Sequence, residues 1–412
     1  MNHTRHQTRI HIPRPHARPG DTPDFSNIKI PSVEQGRRPA IDTPAHEMND
    51  LAFGLVRVLD DAHQAKGEWN PQLDAQTLRD GLRYMLQVRL FDDHMFRLQR
   101  QGTLTFYLKC AGEEAVAVAA AQALRSGDML FPTYRQQGLL VVRGLPMVDM
   151  MCECLSNTHD MNKGRQLPVL YSWAEGGFFT ISGNLGTQVP QAVGWAMGAA
   201  YKNNDDIAAT WIGDGSTAEG DFHYALTFAS VYKAPVIINV VNNQWAISTF
   251  QGVAGGENST FASRGHGFGI PGLRVDGNDF LAVYAATQWA AERARAQAGP
   301  TLIEMYTYRA EGHSTSDDPS KYRPSHDYDA WPLGDPVERL KQHLIGLGEW
   351  TESRHDDLIE TLKQDIADAY AEAEKFGTLN KAPRLSISTM FEDVYKEMPP
   401  HLQRQLQQVE EG

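Results

Sequence analysis

The sequence predicts an α/β fold: a central, mostly parallel sheet with helices on both faces, together with an N-terminal arm and C-terminal helices. Two observations support this class. The chain has 412 residues, enough for one large domain or two ordinary ones with a substantial core. Between residues 186 and 309, apolar strand-like segments alternate with helical patterns. Such alternation is typical of a parallel sheet that is covered on both faces.

Residues 1–50 form a separate compositional zone, which we expect to be an extended arm. Arg, His and Pro dominate its first twenty residues, and acidic residues are absent there. The prolines disfavour the amphipathic helix that a transit peptide needs. We therefore interpret this segment as a flexible arm that wraps a partner.

The predicted α/β domain spans residues 51–334. It opens with a long amphipathic helix that ends at Gly102, followed by an Ala-rich, buried helix at 112–124. The alternating segments are strands at 206–214, 235–243 and 300–309, and helices at 186–203, 217–234 and 279–299. A long polar loop at 310–334 ends the domain, and loops of this length are usually functional or mobile.

Residues 335–412 are predicted to be a C-terminal helical segment. Charged helical patterns occupy residues 336–348 and 356–377. A short terminal helix is expected near residues 390–398.

Composition and charge exclude several classes of partner. The net charge of −13 argues against nucleic acid or an anionic membrane. No apolar run approaches the roughly 18 residues that span a bilayer, and we expect no secretion signal. The three cysteines lack the spacing of a disulfide framework, which indicates reduced thiols. We expect a cytoplasmic location for a bacterial protein, or the mitochondrial matrix for a eukaryotic one.

The segment WIGDGSTAEG, at residues 211–220, carries the first candidate site. Asp214 follows a predicted strand, at the sheet edge where α/β proteins bind ligands. Ser216 and Glu219 match a helix capping box, so we expect a helix to begin directly after the two glycines. The amino end of that helix suits a phosphate, and the glycines let the backbone approach it.

A carboxylate beside a diphosphate requires a cation between them, and Mg²⁺ prefers such oxygen ligands. The next predicted strand ends in Asn242-Asn243, and 26 residues separate this pair from Gly215, about right for one helix and one strand. The chain thereby returns to the same edge of the sheet. The side-chain oxygen of Asn243 and the carbonyl of Trp245 are then candidate ligands of the metal that Asp214 binds. A GDG turn or an Asn pair by itself is weak evidence, so the prediction depends on their conjunction.

This spacing of GDG and an Asn pair resembles the fingerprint of thiamine diphosphate enzymes. From about residue 25, the chain resembles more widely the α subunit of the branched-chain 2-oxo acid dehydrogenase (2-oxoisovalerate dehydrogenase) E1 component. Matching stretches include FYLKCAGEEA, YRQQG, TISGNLGTQVPQAVG, VNNQWAIST, YRAEGHSTSDDPSKYR and FEDVYKEMP. The resemblance implies thiamine diphosphate- and Mg²⁺-dependent oxidative decarboxylation of branched-chain 2-oxo acids, with acyl transfer to the lipoyl group of E2. The nearest alternative is the α subunit of a pyruvate or acetoin dehydrogenase.

The resemblance also implies roles for the residues that match the family's motifs. The cofactor-binding residues would be Tyr134, Arg135, Leu185, Gly213, Asp214, Gly215, Ser216, Asn243 and His313. The metal ligands would be Asp214, Asn243 and the Trp245 carbonyl for Mg²⁺, and Ser182, Thr187 and Gln188 for a monovalent cation such as K⁺. The substrate-pocket residues would be Phe106, Tyr134 and Ser182. His313 is the implied catalytic proton carrier. Because Val241 stands where some relatives carry an arginine, Arg135 and His313 would supply more of the positive charge.

One chain is predicted to hold only half of the active site. Thiamine chemistry also needs a glutamate that activates the aminopyrimidine, usually from a second α/β domain, and the chain has room for about one sheet. The resemblance implies that a β subunit supplies this glutamate in an α2β2 heterotetramer, which acts with a lipoyl-bearing E2 acyltransferase. Gly194 and Gly198 would allow close helix approach at that interface, although internal packing explains them equally well. From other classes, a non-catalytic scaffold of the same fold is an alternative, and a nicotinamide-binding fold is excluded because no G-x-G-x-x-G follows a suitable strand.

Overall fold

The architecture is that of a parallel α/β protein, seen in a computed structural model that describes residues 10–411. The strands are β1 Met129–Phe131, β2 Ala208–Gly213, β3 Val236–Asn242, β4 Trp245–Ala246, β5 Thr249–Phe250, β6 Gly272–Asp276 and β7 Thr301–Tyr306. Five of them form one sheet in the order β1-β2-β3-β7-β6, with every neighbouring pair parallel. β4 and β5 form a separate antiparallel hairpin. The predicted fold class is confirmed.

The helices cover both faces of this sheet. They are α1 Asn49–Phe53, α2 Ala75–Arg100, α3 Glu114–Ala123, α4 Gln137–Arg143, α5 Met147–Leu155, α6 Gln188–Tyr201, α7 Gly220–Val231, α8 Phe280–Arg295, α9 Pro336–Gly346, α10 Glu352–Ala373 and α11 Pro400–Glu411. Alternate residues of β3 belong to different cores. Ile237 and Val241 join a cluster with α2, α3 and α8, while Ile238 and Val240 join one with α6 and α7. Burial on both sides explains why all of β3, which reads VIINVVN, is apolar or carboxamide.

The long helix α2 follows the sequence prediction closely. Asp74 caps its amino end by accepting a hydrogen bond from the Thr77 N–H at 3.0 Å. The helix ends at Arg100, just before Gly102, which adopts a positive φ of 75°.

The capping box predicted after GDG is wrong. Residues Gly215–Ala218 form a 3-10 turn, and α7 begins at Gly220. An N-cap residue needs an extended backbone, and here Glu219 has it, with φ −70° and ψ 145°. Ser216 lies inside the turn and therefore does not cap α7.

One further prediction about an element needs correction, and several elements were not predicted. The terminal helix expected near residues 390–398 is a 3-10 turn at Ile387–Phe391, and α11 begins only at Pro400. Proline is favoured at a first helical position, and its ring disfavours helix in the residue before it. The strands β1 and β6 and the helices α4 and α5 were not predicted, because segments of three to nine residues are too short for periodicity to reveal them.

Parts of the N-terminal arm contact its own domain. The expectation that the arm wraps a partner stays a prediction. Two indole N–H groups donate to arm carbonyls, Trp69 to Arg37 and Trp289 to Pro39, both at 2.9 Å. Phe25 packs edge-on against aromatic rings of the domain. The first nine residues of the predicted arm lie outside the described part of the chain.

The C-terminal helices α9 and α10 share a core with the α/β domain. Leu340, Leu344, Leu362 and Ile366 belong to the same apolar cluster as the helix α2. Within residues 10–411, no helix combines the length and apolar character that a bilayer crossing requires.

Candidate active site

The candidate site is a cleft of about 470 Å³ at the carboxyl ends of β2 and β3. These strands are parallel neighbours, with Gly213 opposite Val241, and the Asp214 N–H donates to the Val241 carbonyl at 3.1 Å. The residues that follow the two strands therefore meet at one edge of the sheet. Ten predicted site residues line the cleft: Tyr134, Arg135, Leu185, Gly213, Asp214, Gly215, Ser216, Asn243, Trp245 and His313.

The two glycines of the GDG turn serve different purposes. A Cβ on Gly215 would collide with the side chain of Ala246, so glycine is required for the turn to pack against the β4–β5 hairpin. A Cβ on Gly213 would meet no atom within 4 Å. Gly213 therefore leaves open space at the cleft, as the close approach of a ligand to backbone requires.

Asp214 is a buried carboxylate that is only half satisfied. Its Oδ1 accepts a hydrogen bond from the Gly215 N–H at 2.6 Å, while its Oδ2 is buried and has no hydrogen-bond partner among the described residues. Burial raises the pKa of Asp214 to about 7, and the nearby Glu113 carboxylate adds to this rise. A buried, unpaired carboxylate oxygen is costly unless a cation binds it. These residues fit a hard divalent metal such as Mg²⁺.

The two asparagines of the pair point to different partners. The Asn242 amide donates to Glu304 Oε1 on β7, and the Asn243 amide donates to Glu113 Oε1, both at 2.8 Å. Successive residues at the end of a strand face opposite sides, so only one of the pair reaches the cleft. That residue is Asn243, the one predicted as a metal ligand.

The Trp245 carbonyl is positioned by an unusual turn. Gln244 and Ile247 have positive φ angles of 75° and 55°, a conformation that non-glycine residues rarely adopt. The Gln244 amide stabilises the turn by donating to Asn242 Oδ1 at 3.0 Å. The Trp245 carbonyl accepts a hydrogen bond from Arg309 Nη1 at 2.9 Å. Because a carbonyl has two lone pairs, one remains for a metal.

His313 lies against Arg135 in surroundings that disfavour a charged ring. Arg135 Nη2 lies 3.2 Å from His313 Nδ1 and donates at 2.7 Å to the His313 carbonyl. Burial lowers the pKa of His313 to about 3, and the charges of Arg135 and Arg309 add to this effect. An arginine only donates, so Nδ1 accepts and the ring proton lies on Nε2. The fixed positive charge at the described cleft is therefore that of Arg135 and Arg309, and the contribution expected from His313 stays a prediction.

Arg309 is a residue of the cleft that was not predicted from the sequence. It is buried, lines the cleft, and donates to the Ile247 carbonyl at 2.8 Å and to Tyr322 Oη at 2.7 Å. Asp317 in turn accepts from Tyr322 Oη and from the His313 N–H, both at 2.6 Å. The signal was present: Arg309 follows β7, the parallel neighbour of β3, and so reaches the same sheet edge.

The same network orders the polar loop at 310–334. Arg323 donates to the Arg309 carbonyl at 2.6 Å and is itself buried. We expected this loop to be either functional or mobile. Its hydrogen bonds hold it in one conformation beside the cleft, which argues against the mobile alternative.

Several predicted site residues do not line the cleft. Phe106 packs against the main core, and Ser182 lies outside the lining. Thr187 Oγ1 donates to the Asn184 carbonyl at 2.9 Å, and the Asn184 N–H donates to Ser182 Oγ at 3.1 Å. The Gln188 amide points elsewhere, to the Trp211 carbonyl of β2 at 2.7 Å. The structure thus joins two of the three predicted monovalent-cation ligands in one turn.

A parallel α/β sheet that carries GDG and an Asn pair at one edge is the arrangement expected of thiamine diphosphate-dependent enzymes. Here a buried carboxylate oxygen with no partner among the described residues lies beside them. The family model described as "Dehydrogenase E1 component" matches residues 82–381 of the chain. A second model, "2-oxoisovalerate dehydrogenase E1 alpha subunit N terminal", matches residues 6–46. The chain therefore belongs to the dehydrogenase E1 component family.

Relatives of known name agree with this assignment. The 2-oxoisovalerate dehydrogenase subunit alpha of Pseudomonas aeruginosa is 59% identical over 401 residues, covering 97% of this chain and 98% of that protein. The mitochondrial alpha subunit of Caenorhabditis elegans is 37% identical over 372 residues, covering 89% and 82%. That of Mus musculus is 38% identical over 342 residues, covering 82% and 75%.

Proposed function

We propose that the chain is the α subunit of a branched-chain 2-oxo acid dehydrogenase E1 component. It takes part in the thiamine diphosphate- and Mg²⁺-dependent oxidative decarboxylation of branched-chain 2-oxo acids and in acyl transfer to the lipoyl group of E2. The observation that carries the proposal is the unpaired Oδ2 of Asp214, in a cleft shared with Asn243 and two arginines. The near full-length similarity to the Pseudomonas aeruginosa subunit supports the substrate class.

The metal is held, in this proposal, by three oxygen atoms. Asp214 contributes its free carboxylate oxygen, Asn243 its side-chain oxygen and Trp245 its backbone carbonyl. Carboxylate, amide and carbonyl oxygens are the ligands that Mg²⁺ prefers, and phosphate oxygens and water complete its octahedron. When bound, thiamine diphosphate supplies the electron sink for loss of CO₂.

The diphosphate is bound by backbone and by fixed positive charge. The turn from Gly213 to Ser216 presents backbone to the cleft, and Arg135 and Arg309 are the cations that line it. Arg309 takes the part that an arginine in place of Val241 plays in some relatives. Tyr134 and Leu185 complete the cofactor side of the cleft, and Leu185 is about half exposed, as expected of an apolar surface that a ligand or partner covers.

His313 acts on protons at the reacting centre. Its neutral ring presents an Nε2–H donor, because Arg135 occupies the Nδ1 side. This Nε2–H can donate to an oxygen on which negative charge develops, which is the proton position that the proposed role needs.

The β subunit docks, in this proposal, on the outer face of α6 and α7. Gly194 and Gly198 are exposed, and a Cβ on either would meet no atom within 4 Å, so internal packing does not explain them. On α7, Phe222 and Leu226 are buried while Phe228 remains half exposed. Exposed apolar helix faces mark interaction sites. We propose an α2β2 heterotetramer with the cofactor cleft completed at this contact.

The remaining assignments concern the monovalent cation, the substrate pocket and the cellular location. The turn that contains Ser182 and Thr187 is the proposed K⁺ site, and Phe106 stays a proposal for the substrate pocket. The three buried free cysteines and the bacterial relative support a cytoplasmic location.

The function is tested with the chain co-expressed with its β subunit. We expect decarboxylation of 2-oxoisovalerate with a kcat/KM at least tenfold above that for pyruvate, measured as CO₂ release with thiamine diphosphate and Mg²⁺. A preference for pyruvate would overturn the branched-chain assignment. Inactivity of a correctly assembled complex with both substrates would overturn the catalytic interpretation in favour of a scaffold.

A further inference from the structure

We propose that Glu113 is a positioning residue that sets the orientation of the Asn243 amide, so that its oxygen, and not its nitrogen, faces the metal. The inference rests on the proposed function, because it concerns the same metal site. Glu113 lies directly before α3 and is 2% exposed.

The hydrogen bond between the two side chains determines which way the amide points. Glu113 Oε1 accepts from Asn243 Nδ2 at 2.8 Å. Oε1 is the acceptor of this bond, and an amide has one donating end, its nitrogen, and one accepting end, its oxygen. The nitrogen of Asn243 must therefore turn toward Glu113, which leaves Oδ1 on the other side. The Trp245 N–H approaches that Oδ1 at 3.3 Å, consistent with this orientation.

Glu113 also brings charge to the site. Its Oε1 lies 3.8 Å from Nε of Arg135, and its Oε2 is buried with no hydrogen-bond partner within residues 10–411. A buried carboxylate is stable there only with compensating positive charge. Arg135 provides part of it, and a divalent cation beside Asp214 provides more. Partners that orient metal ligands in this way typically account for a 10- to 100-fold difference in metal affinity.

The neighbouring Glu114 is a matched control. It is equally buried and also lies at the start of α3, but it binds Arg89 Nε at 2.7 Å and the Gly112 N–H at 3.0 Å. Among the described residues, its hydrogen bonds do not include one to Asn243. A Glu114→Gln substitution therefore reports the general effect of neutralising a buried carboxylate in this helix.

The test uses the assembled α/β complex, with Mn²⁺ as the probe and its affinity measured by electron paramagnetic resonance in the presence of thiamine diphosphate. We expect Glu113→Gln to weaken Mn²⁺ binding about 10- to 100-fold, because the glutamine amide no longer dictates the orientation of Asn243. Asn243→Asp should weaken it as well, since two carboxylates would then face each other. The double variant should recover to within about threefold of wild type. In it, the introduced glutamine would donate to one oxygen of the introduced aspartate and leave the other oxygen for the metal.

Each outcome bears on the inference separately from the function. Unchanged Mn²⁺ affinity in Glu113→Gln, an equal loss in Glu114→Gln, or a double variant no better than the weaker single variant would overturn the role of Glu113. Absence of Mn²⁺ binding by the wild-type complex would overturn the proposed metal site itself. If Glu113→Gln does not assemble, Glu113→Asp replaces it in the test. Its shorter side chain moves the hydrogen-bond acceptor away from Asn243 by one methylene. A Mn²⁺ affinity within twofold of wild type in this variant would overturn the inference.

Discussion

Asp214 shows how one buried residue can define a site. Its environment raises its pKa and leaves one of its oxygens without a partner among the described residues, so the carboxylate is poorly accommodated until a cation arrives. In the assembled complex we expect Asp214→Ala to abolish Mg²⁺-dependent binding of thiamine diphosphate, measured by isothermal titration calorimetry. Asp205→Ala, at the opposite end of β2 and exposed, is the control and should bind normally. Unchanged affinity in Asp214→Ala would sink the metal assignment.

His313 is expected to matter for proton movement rather than for assembly. His313→Ala should leave the heterotetramer intact and lower single-turnover acyl transfer to a lipoyl domain about 10²- to 10⁴-fold, the range typical of general acid–base groups. His326→Ala provides the comparison, because this histidine lies in the same loop but is exposed. Wild-type transfer rates in His313→Ala would refute the role.

Asp92 gives the chain a pH-dependent stability that is unrelated to catalysis. Tyr107 Oη and the Cys110 N–H donate to it at 2.7 and 2.6 Å, and burial raises its pKa to about 7. Between about pH 4 and pH 7 the folded chain keeps a proton that the unfolded chain has lost. The free energy of unfolding therefore falls as pH rises through this window and levels off above it.

The Asp92→Asn variant isolates this effect, because other titrating groups are common to both proteins. We expect the free energy of unfolding of wild type, relative to the variant, to decrease by a few kcal/mol between pH 5 and pH 8, at up to about 1.4 kcal/mol per pH unit. Urea unfolding at several pH values measures it. A difference that does not change with pH would contradict the prediction.

At the scale of elements, the helix α6 has an exposed face that includes Gly198. Gly198→Leu should leave the chain folded, because no atom of the described residues lies within 4 Å of the added Cβ and leucine favours helix by about 1 kcal/mol over glycine. The same substitution should block association with the β subunit, measured by co-purification. Gly346→Leu, at an exposed glycine of α9 with equally open surroundings, should associate normally. Normal association of Gly198→Leu with the β subunit would contradict an interface on this face of α6.

The elements themselves differ in how far they could be predicted. β3 and α2 were predicted closely, because a mostly apolar strand and a long amphipathic helix carry strong signals in the sequence. β1 has only three residues and escaped notice. The predicted capping box is wrong because Ser216 and Glu219 match only a short sequence pattern. Whether that pattern caps a helix depends on backbone angles, and the packing of the GDG turn against the β4–β5 hairpin decides those angles.

At the scale of the whole molecule, residues 10–411 contain one parallel sheet. The candidate cleft lies at the carboxyl-end edge of its strands β2, β3 and β7. Purified alone, the chain should not decarboxylate 2-oxoisovalerate, because the group that activates the aminopyrimidine is expected on the β subunit. The assay is CO₂ release, with the reconstituted complex as the positive control. Robust activity of the isolated chain would defeat the split-site interpretation.

The sequence by itself determined the fold class, the strand that precedes Asp214 and the arrival of Asn243 beside it. It could do so because these features depend on short stretches of the chain: the apolar composition of each strand, and the length of the single helix that connects two parallel strands. Only the tertiary structure decided that Arg309 lies in the cleft, that Arg135 contacts His313, and that Glu113 holds the Asn243 amide. Those contacts join residues from different parts of the chain, and their geometry depends on how α3, the loop after β7 and the sheet edge pack together.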